Sequence, residues 1–297
     1  SYFASANYHK EYLELDLLKE EDKQLLFHHL EDTDILISNF KPGDDKKFGI
    51  LSTDLLRRFP KLIHGQITGY PGNNTRPAFD VVLQAETGYL AMTGHPNEAP
   101  VKMPVAMIDV LAAHQLKEGL LIALIERNQS GKGALVSVSL YDAALSALSN
   151  QASAFLMGGL IPQALGTLHP SICPYGELLP CSDGKSLVLA VGNDTQFRHL
   201  CEVLGDSQLA EHPSFHSNPE RVKNRVELQK QLAQLSASFS SDVLFEALDQ
   251  QKVPVGRIRR LDEVFQDPEA QTLVREETIE NTLTRRVSGN IFRIQSA

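Results

Sequence analysis

Leu62-Ile63-His64-Gly65-Gln66-Ile67-Thr68, closed by Gly69-Tyr70-Pro71-Gly72, decides the fold. An apolar run this short, stopped by glycine and proline, reads as a buried strand rather than a helix. Upstream, Ile35–Phe40 repeats the pattern and stops at Lys41-Pro42-Gly43. Two strand-then-loop units with a helix between them predict a parallel α/β sheet, because parallel neighbours require a crossover connection. Ligands of such sheets gather at the loops that follow the strands.

A polar-faced helix is expected over Lys19–Leu30, before the first of these strands. Downstream, Ile108, Leu111, Ala112, Leu116, Leu120, Ala123 and Leu124 recur at helical spacing within Val105–Arg127, and Ser130-Gly131-Lys132-Gly133 stops that helix. Ala134–Leu140 then reads as a strand and Asp142–Leu156 as a helix with Asp142 at its N-cap. Beyond Gly158-Gly159 the pattern changes. Ser171–Leu179 and Ser186–Val191 flank Asp183-Gly184, a hairpin turn, and are followed by helices over Asp194–Leu204, Pro219–Leu235 and Asp242–Gln250. A short strand at Val255–Ile258 and a helix near Leu261–Phe265 complete the reading. The expected division is a large α/β domain over 1–160 and a smaller α+β domain over 161–297.

Hydrophobic residues make up 42% of the 297 residues, enough for a sizeable core. The net charge of −9, with scattered basic residues, argues against a nucleic-acid surface. No apolar run is long enough to cross a bilayer, and Ser-Tyr-Phe-Ala-Ser-Ala-Asn at the start lacks the features of a signal peptide, so a cytoplasmic protein without membrane partners is expected. Cys173, Cys181 and Cys201 form neither an even set nor a CxxC pair and read as buried small hydrophobes. No metal-ligand spacing joins His28, His29, His64, His95 and His114, so no metal is expected. Gly184-Lys185-Ser186 imitates the end of a phosphate loop but has Leu179 where the first glycine is required.

Asp109, in Val105-Ala-Met-Ile-Asp-Val-Leu-Ala-Ala, is a lone carboxylate opening the long helix. Apolar surroundings strip away the hydration that restrains a carboxylate, which suits a nucleophile for thioesters or anhydrides. An aspartate at a helix start equally suits an N-cap. Local sequence leaves both readings open.

The ordered blocks Asn39-Phe40-Lys41-Pro42-Gly43, Ile67-Thr68-Gly69-Tyr70, Arg76-Pro77-Ala78-Phe79-Asp80, Gln84-Ala85, Met92-Thr93-Gly94, Val105-Ala106-Met107-Ile108-Asp109, Gly131-Lys132-Gly133, His169-Pro170-Ser171-Ile172, Pro174-Tyr175 and Gly192-Asn193-Asp194-Thr195-Gln196-Phe197 resemble the class III CoA-transferases. This family, also called CaiB/BaiF, includes formyl-CoA, carnitine and dicarboxylate CoA-transferases and α-methylacyl-CoA racemase. The resemblance implies a Rossmann-like sheet domain with a smaller domain, an interlocked homodimer, and acyl-CoA chemistry with Asp109 as the nucleophile. It places coenzyme A contacts on Leu15, Asp16, Leu17, Leu18, Asn39, Phe40, Lys41, Lys47, Pro77, Ala78, Phe79 and Asp80. Lys47 stands where the family often has arginine. No tightly bound cofactor is implied, since coenzyme A enters as part of the substrate.

By the same resemblance, Asp109 attacks the donor thioester, an aspartyl-CoA thioester forms, and an acceptor acid takes the CoA. His169 would help recognise the acceptor carboxylate, for which a small dicarboxylate is expected; its alternative is backbone punctuation around Pro170 and Ser171. Racemases of the family carry a histidine where this chain has Phe79, which disfavours the racemase alternative, because a phenyl ring moves no proton. The family also has an N-terminal strand with a CoA-gripping arginine ahead of the Ser1 position, and a closing C-terminal segment. Without that strand the sheet is expected to expose an edge, and a binding or scaffold role stays open as a further alternative.

Overall fold

The computed structural model describes residue 3 and residues 6–279, 282–289 and 291–295; the other residues of the N-terminal stretch scanned for a leader lie outside that set. The chain divides into two compact units, Leu13–Gly166 and Thr167–Ala297, the second joined by the residues up to Tyr12. The division therefore falls at 166/167, where 160/161 was expected, and the first residues group with the later unit.

In the unit Leu13–Gly166, β1 (Ile35–Ser38), β2 (Ile63–Thr68) and β3 (Leu135–Ser139) form a parallel sheet in the order β1-β2-β3. The central strand is covered on both faces, which is why Ile63, His64 and Gly65 are all buried. On one face Leu62 joins Phe27 and Leu30 of α1 (Glu20–Leu30), Ile50, and Leu55, which follows α2 (Asp44–Phe48) on α3 (Ser52–Arg58). On the other, Ile63 joins Leu116, Leu120 and Ala123 of a long helix.

Before that helix come α4 (Asp80–Glu86) and α5 (Tyr89–Met92); α6 (Met107–Ser130) is the helix the apolar spacing predicts. Gly131 ends it in the left-handed region (φ 72°), where glycine carries no side-chain penalty. At Gly133 a Cβ would fall 1.8 Å from the Leu62 carbonyl oxygen, so the chain entering β3 requires glycine to pass β2 this closely.

Two expectations differ from the structure here. Asp142 is not an N-cap: α7 (Leu140–Ser146) starts earlier, and its cap is Ser139, whose Oγ accepts from the Asp142 N–H and donates to Oδ2 of that residue. The expected helix 142–156 is two helices, α7 and α8 (Ser149–Gly158), with a break at Ala147-Leu148. His64 is buried and hydrogen-bonded to Ser38 at 2.8 Å, with burial pulling its pKa down.

The unit from Thr167 onward contains an antiparallel sheet of β4 (Tyr175–Pro180), β5 (Ser186–Ala190) and β6 (Val255–Arg257). α9 (Asp194–Val203), α10 (Asn218–Lys223), α11 (Arg225–Ser236) and α12 (Ser241–Gln250) accompany it. Leu179, Leu187, Leu189, Phe197, Leu200, Leu228, Leu232, Leu244 and Leu248 form one core. The Asp183-Gly184 turn is where the sequence places it, with Gly184 at φ 77°. The single helix expected over 219–235 is broken at Asn224, and the strand expected from Ser171 begins only at Tyr175. α13 (Leu261–Val264) and α14 (Pro268–Gln271) lead to a hairpin of β7 (Val274–Ile279) and β8 (Thr282–Val287), which the sequence reading missed. All three cysteines are free and buried. Burial pushes the thiols of Cys173 and Cys201 up to about 12, so both remain protonated hydrophobes.

Candidate active site

The ends of all three parallel strands open into one cleft of about 630 Å³ within the unit Leu13–Gly166. After β1 come Asn39, Phe40, Lys41 and Pro42; the end of β2 supplies Ile67, Thr68 and Gly69; Leu140 follows β3. The segment Asn74–Asp80 closes another wall, and Asp109 lies on the first turn of α6. This is the carboxyl edge of an open α/β sheet, where side chains from separate loops converge without disturbing the ladder.

The cleft gathers Asn39, Phe40, Lys41, Pro77, Ala78, Phe79, Asp80 and Asp109 from the residues singled out in the sequence. It does not gather Leu15, Asp16, Leu17, Leu18 or Lys47. Leu15–Leu18 run into the turn ahead of α1, where Asp16 accepts from the Leu18 N–H and Leu17 packs on the helical core. Lys47 sits on α2 with its ammonium 5.5 Å from the Phe48 ring centre. His169 belongs to the other unit.

The cap position of α6 is Ala106, so Asp109 is the third residue of the helix and not its cap. Its carboxylate faces solvent and is neither hydrogen-bonded nor ion-paired among the described residues. The protein packed around the carboxyl, and next the charge of Asp80, raise its pKa above the usual carboxylate value. Both effects oppose the positive end of the helix, which favours the ionised form. Asp109 is thus a carboxylate kept short of the partners that would make it inert.

Asp80 does the capping instead. Its Oδ2 accepts from the Ile108 N–H at 2.8 Å, and Oδ1 accepts from Gln84 Nε2. Gln84 in turn accepts from the Met103 N–H at 2.9 Å, so α4 grips the chain on its way into α6. The residue beside Asp109 is therefore fixed by a side chain from a different wall of the same cleft. Replacing Asp80 by asparagine keeps an acceptor for Ile108 but removes the charge. Because that charge helps raise the Asp109 pKa, the acidic limb of Asp109-dependent chemistry is expected to move to lower pH in this variant. A pH–rate profile with an unmoved limb, or one moved upward, contradicts this.

Arg76 was not singled out as a site residue, although it lines the cleft beside Lys41. Its guanidinium pairs with both Glu86 oxygens, and the Tyr70 hydroxyl donates to the same carboxylate at 2.8 Å. That pairing lowers the Glu86 pKa, first through the hydrogen bond from Arg76. The signal in the sequence was the Arg76 to Glu86 spacing, which means nothing until the loop folds back over α4.

Ala78 rests directly on Gly69, where an added Cβ would fall 2.2 Å from the Ala78 Cβ. Gly69→Ala is expected to push this wall outward and destabilise the protein by about 1–3 kcal/mol, the usual cost of overpacking. A thermal melt checks it; an unchanged midpoint contradicts so close a contact.

The CoA-transferase family III model matches residues 1–296. The chain is 33% identical over 276 residues to the succinate–glutarate CoA-transferase of Agrobacterium fabrum, covering 91% of this chain and 68% of that protein. It is 30% identical over 263 residues to the acetyl-CoA:oxalate CoA-transferase of Acetobacter aceti, covering 86% of this chain and 66% of that protein. The chain thus spans about two thirds of the length of these curated relatives. Among solved structures, a CaiB/BaiF family protein from Brucella suis superposes with a TM-score of 0.86 at 31% identity, covering 100% of this chain and 78% of that one.

Proposed function

The chain belongs to CoA-transferase family III, and on that footing we propose that it moves coenzyme A from an acyl-CoA donor to a small dicarboxylate through a thioester on Asp109. The observation that carries this reading is the unpaired, pKa-raised Asp109 standing in the cleft at the end of the parallel sheet.

An Asp109 oxygen attacks the thioester carbonyl and expels the CoA thiolate, leaving a mixed anhydride. The thiolate then attacks the aspartyl carbonyl and expels the donor carboxylate, leaving aspartyl-CoA. An acceptor carboxylate attacks that thioester, and the released thiolate attacks the new acyl group of the second anhydride, freeing Asp109. Each step passes one negative charge between carboxylate and thiolate with no net proton transfer. The chemistry therefore needs no general acid or base, and the cleft is lined by no histidine among the described residues. Lys41 supplies positive charge for the anionic substrates, whereas the charge of Arg76 is already met by Glu86.

Two features support this over a racemase. Phe79, 69% exposed in the cleft, offers no group to exchange an α-proton. The named relatives act on dicarboxylates, which favours succinate, glutarate or oxalate as acceptor or donor acid. The proposed homodimer draws support from exposed Leu156, Met157, Leu160 and Ile161, an apolar patch that needs cover. Incubation with succinyl-CoA and a panel of dicarboxylates, with the CoA esters separated by chromatography, tests the activity. Formation of a new dicarboxylyl-CoA is expected; hydrolysis alone, or epimerised acyl-CoA without transfer, contradicts it.

A further inference from the structure

In the unit Leu13–Gly166, residues 74–79 form one wall of the cleft without helix or strand. No ladder holds this wall, so side chains must. Beyond its far end Asp80 is bonded to Ile108, and near its middle Ala78 rests on Gly69. Toward its near end stands Arg76, whose guanidinium spans both carboxylate oxygens of Glu86, the last residue of α4. The Tyr70 hydroxyl donates to Glu86 Oε2 at 2.8 Å, and the guanidinium lies 5.0 Å from the centre of the Tyr70 ring. Tyr70 is well anchored: it belongs to the core with Leu83 and Ile108, and its carbonyl accepts from the Thr68 hydroxyl at 3.0 Å. Asn74 Oδ1 accepts from the Arg76 N–H at 3.0 Å, so the backbone and the side chain of Arg76 are both held.

A cation in the wall of an anion-binding cleft can act in two ways: it can attract substrate, or it can hold the wall. The charge of Arg76 is met by Glu86, which stays ionised because hydrogen bonds from Arg76 and then from Tyr70 lower its pKa. Nor is the pair a source of much stability, since the Arg76 side chain is 58% exposed and exposed pairs contribute little. What remains is direction. Two N–H groups on one carboxylate fix the guanidinium plane, which an ammonium cannot do. With Arg76 tied to the end of α4, the loop folds back and lays Pro77, Ala78 and Phe79 along the cleft.

We propose that Arg76 is a positioning residue: clipped by Glu86 and Tyr70, it fixes the wall Pro77–Phe79 against which the acyl-CoA donor binds, and it does not bind the donor through its charge. This rests on the reading of the cleft around Asp109 as the donor site.

The two roles predict opposite signs for Glu86→Gln, read as the succinyl-CoA concentration that half-saturates adduct formation on Asp109. Loss of the fork loosens the wall and is expected to raise that concentration about fivefold or more, because misplaced binding groups are costly. An arginine that bound substrate would be freed from its partner, and the concentration would fall. Arg76→Lys, which keeps the charge but not the fork, is expected to raise it by a similar factor, and the double variant should be no worse than either single one. The melting midpoint of each variant should stay within about 3 °C of wild type, as an exposed pair allows. A lowered concentration for Glu86→Gln, or an unchanged one for Arg76→Lys, overturns the proposal. So does a loss confined to the amount of reactive protein at unchanged half-saturation, which marks a merely structural residue. If Arg76→Lys does not fold, Tyr70→Phe takes its place, with an expected rise of about twofold or more from the loss of one hydroxyl. If the wild type forms no adduct, the Asp109 reading fails by itself; the clip is then judged from the Kd for succinyl-CoA in the same variants, with the same rise expected and its absence overturning the proposal.

Discussion

Asp109→Ala is expected to lower CoA transfer by roughly 10⁴-fold or more, the scale of effect when a covalent nucleophile is removed. No other carboxylate can substitute. Asp80, the only other carboxylate lining the cleft among the described residues, is engaged by Ile108 and Gln84. Loss of activity must be separated from loss of fold, and Asp109→Asn does this through its pKa. The folded protein holds the Asp109 proton more tightly than the unfolded chain does, because its pKa is raised. Stability therefore falls as pH rises from the ordinary carboxylate value through the raised one, and ionised Asp109 weighs against the fold above that window. Asparagine removes the effect, so the variant should melt at or above the wild-type temperature at pH 7 while remaining inactive. A variant that is inactive and also melts early contradicts the assignment of Asp109 as a strained functional group.

Arg221→Met is expected to cost about 3–5 kcal/mol, chiefly because two buried carbonyls lose their donor at roughly 1–3 kcal/mol each. Arg221 is 1% exposed. It donates to the carbonyls of Cys173 and Phe215, pairs with Asp194 at 2.6 Å, and lies 4.4 Å from the Phe197 ring centre. Methionine fills much of the volume but leaves two buried carbonyls unpaired, which is the costly part. At about 2–4 °C per kcal/mol for a unit of this size, the midpoint should drop by roughly 6–20 °C. Arg221→Lys should recover only part of this, because one ammonium cannot reach three acceptors in fixed directions. A drop below about 2 °C for Arg221→Met contradicts a structural role for these bonds.

The strands and the long helix were legible because their signals are local. The run Leu62–Thr68 stops at glycine, and α6 carries five buried residues at helical spacing before Gly131. Asp109 was legible as an exception to its surroundings, but its relation to Asp80 was not, since the Asp80–Ile108 bond joins residues far apart in sequence. The helix breaks at Ala147-Leu148 and Asn224 carry no proline or glycine to announce them. Ser139 outcompeted Asp142 as a cap because its hydroxyl both accepts and donates, bonding the backbone and the carboxylate together. The residues 171–174 read as the start of a strand because Ile172, Cys173 and Tyr175 are apolar; what denies them a ladder is the set of side chains Asn218, Arg221 and Arg225, found only after the helices pack. The β7–β8 hairpin went unread because its mixed arginine, glutamate and threonine content gives no alternation clean enough to mark a buried face.

Covalent loading of Asp109 is the step on which the transfer chemistry most directly depends. Intact-mass measurement after brief incubation with succinyl-CoA, followed by peptide mapping, should show coenzyme A as a thioester on the Asp109 peptide, removed by hydroxylamine and absent from Asp109→Ala. An unmodified wild-type protein that nevertheless exchanges CoA between acids, or an adduct that persists in Asp109→Ala, would contradict it.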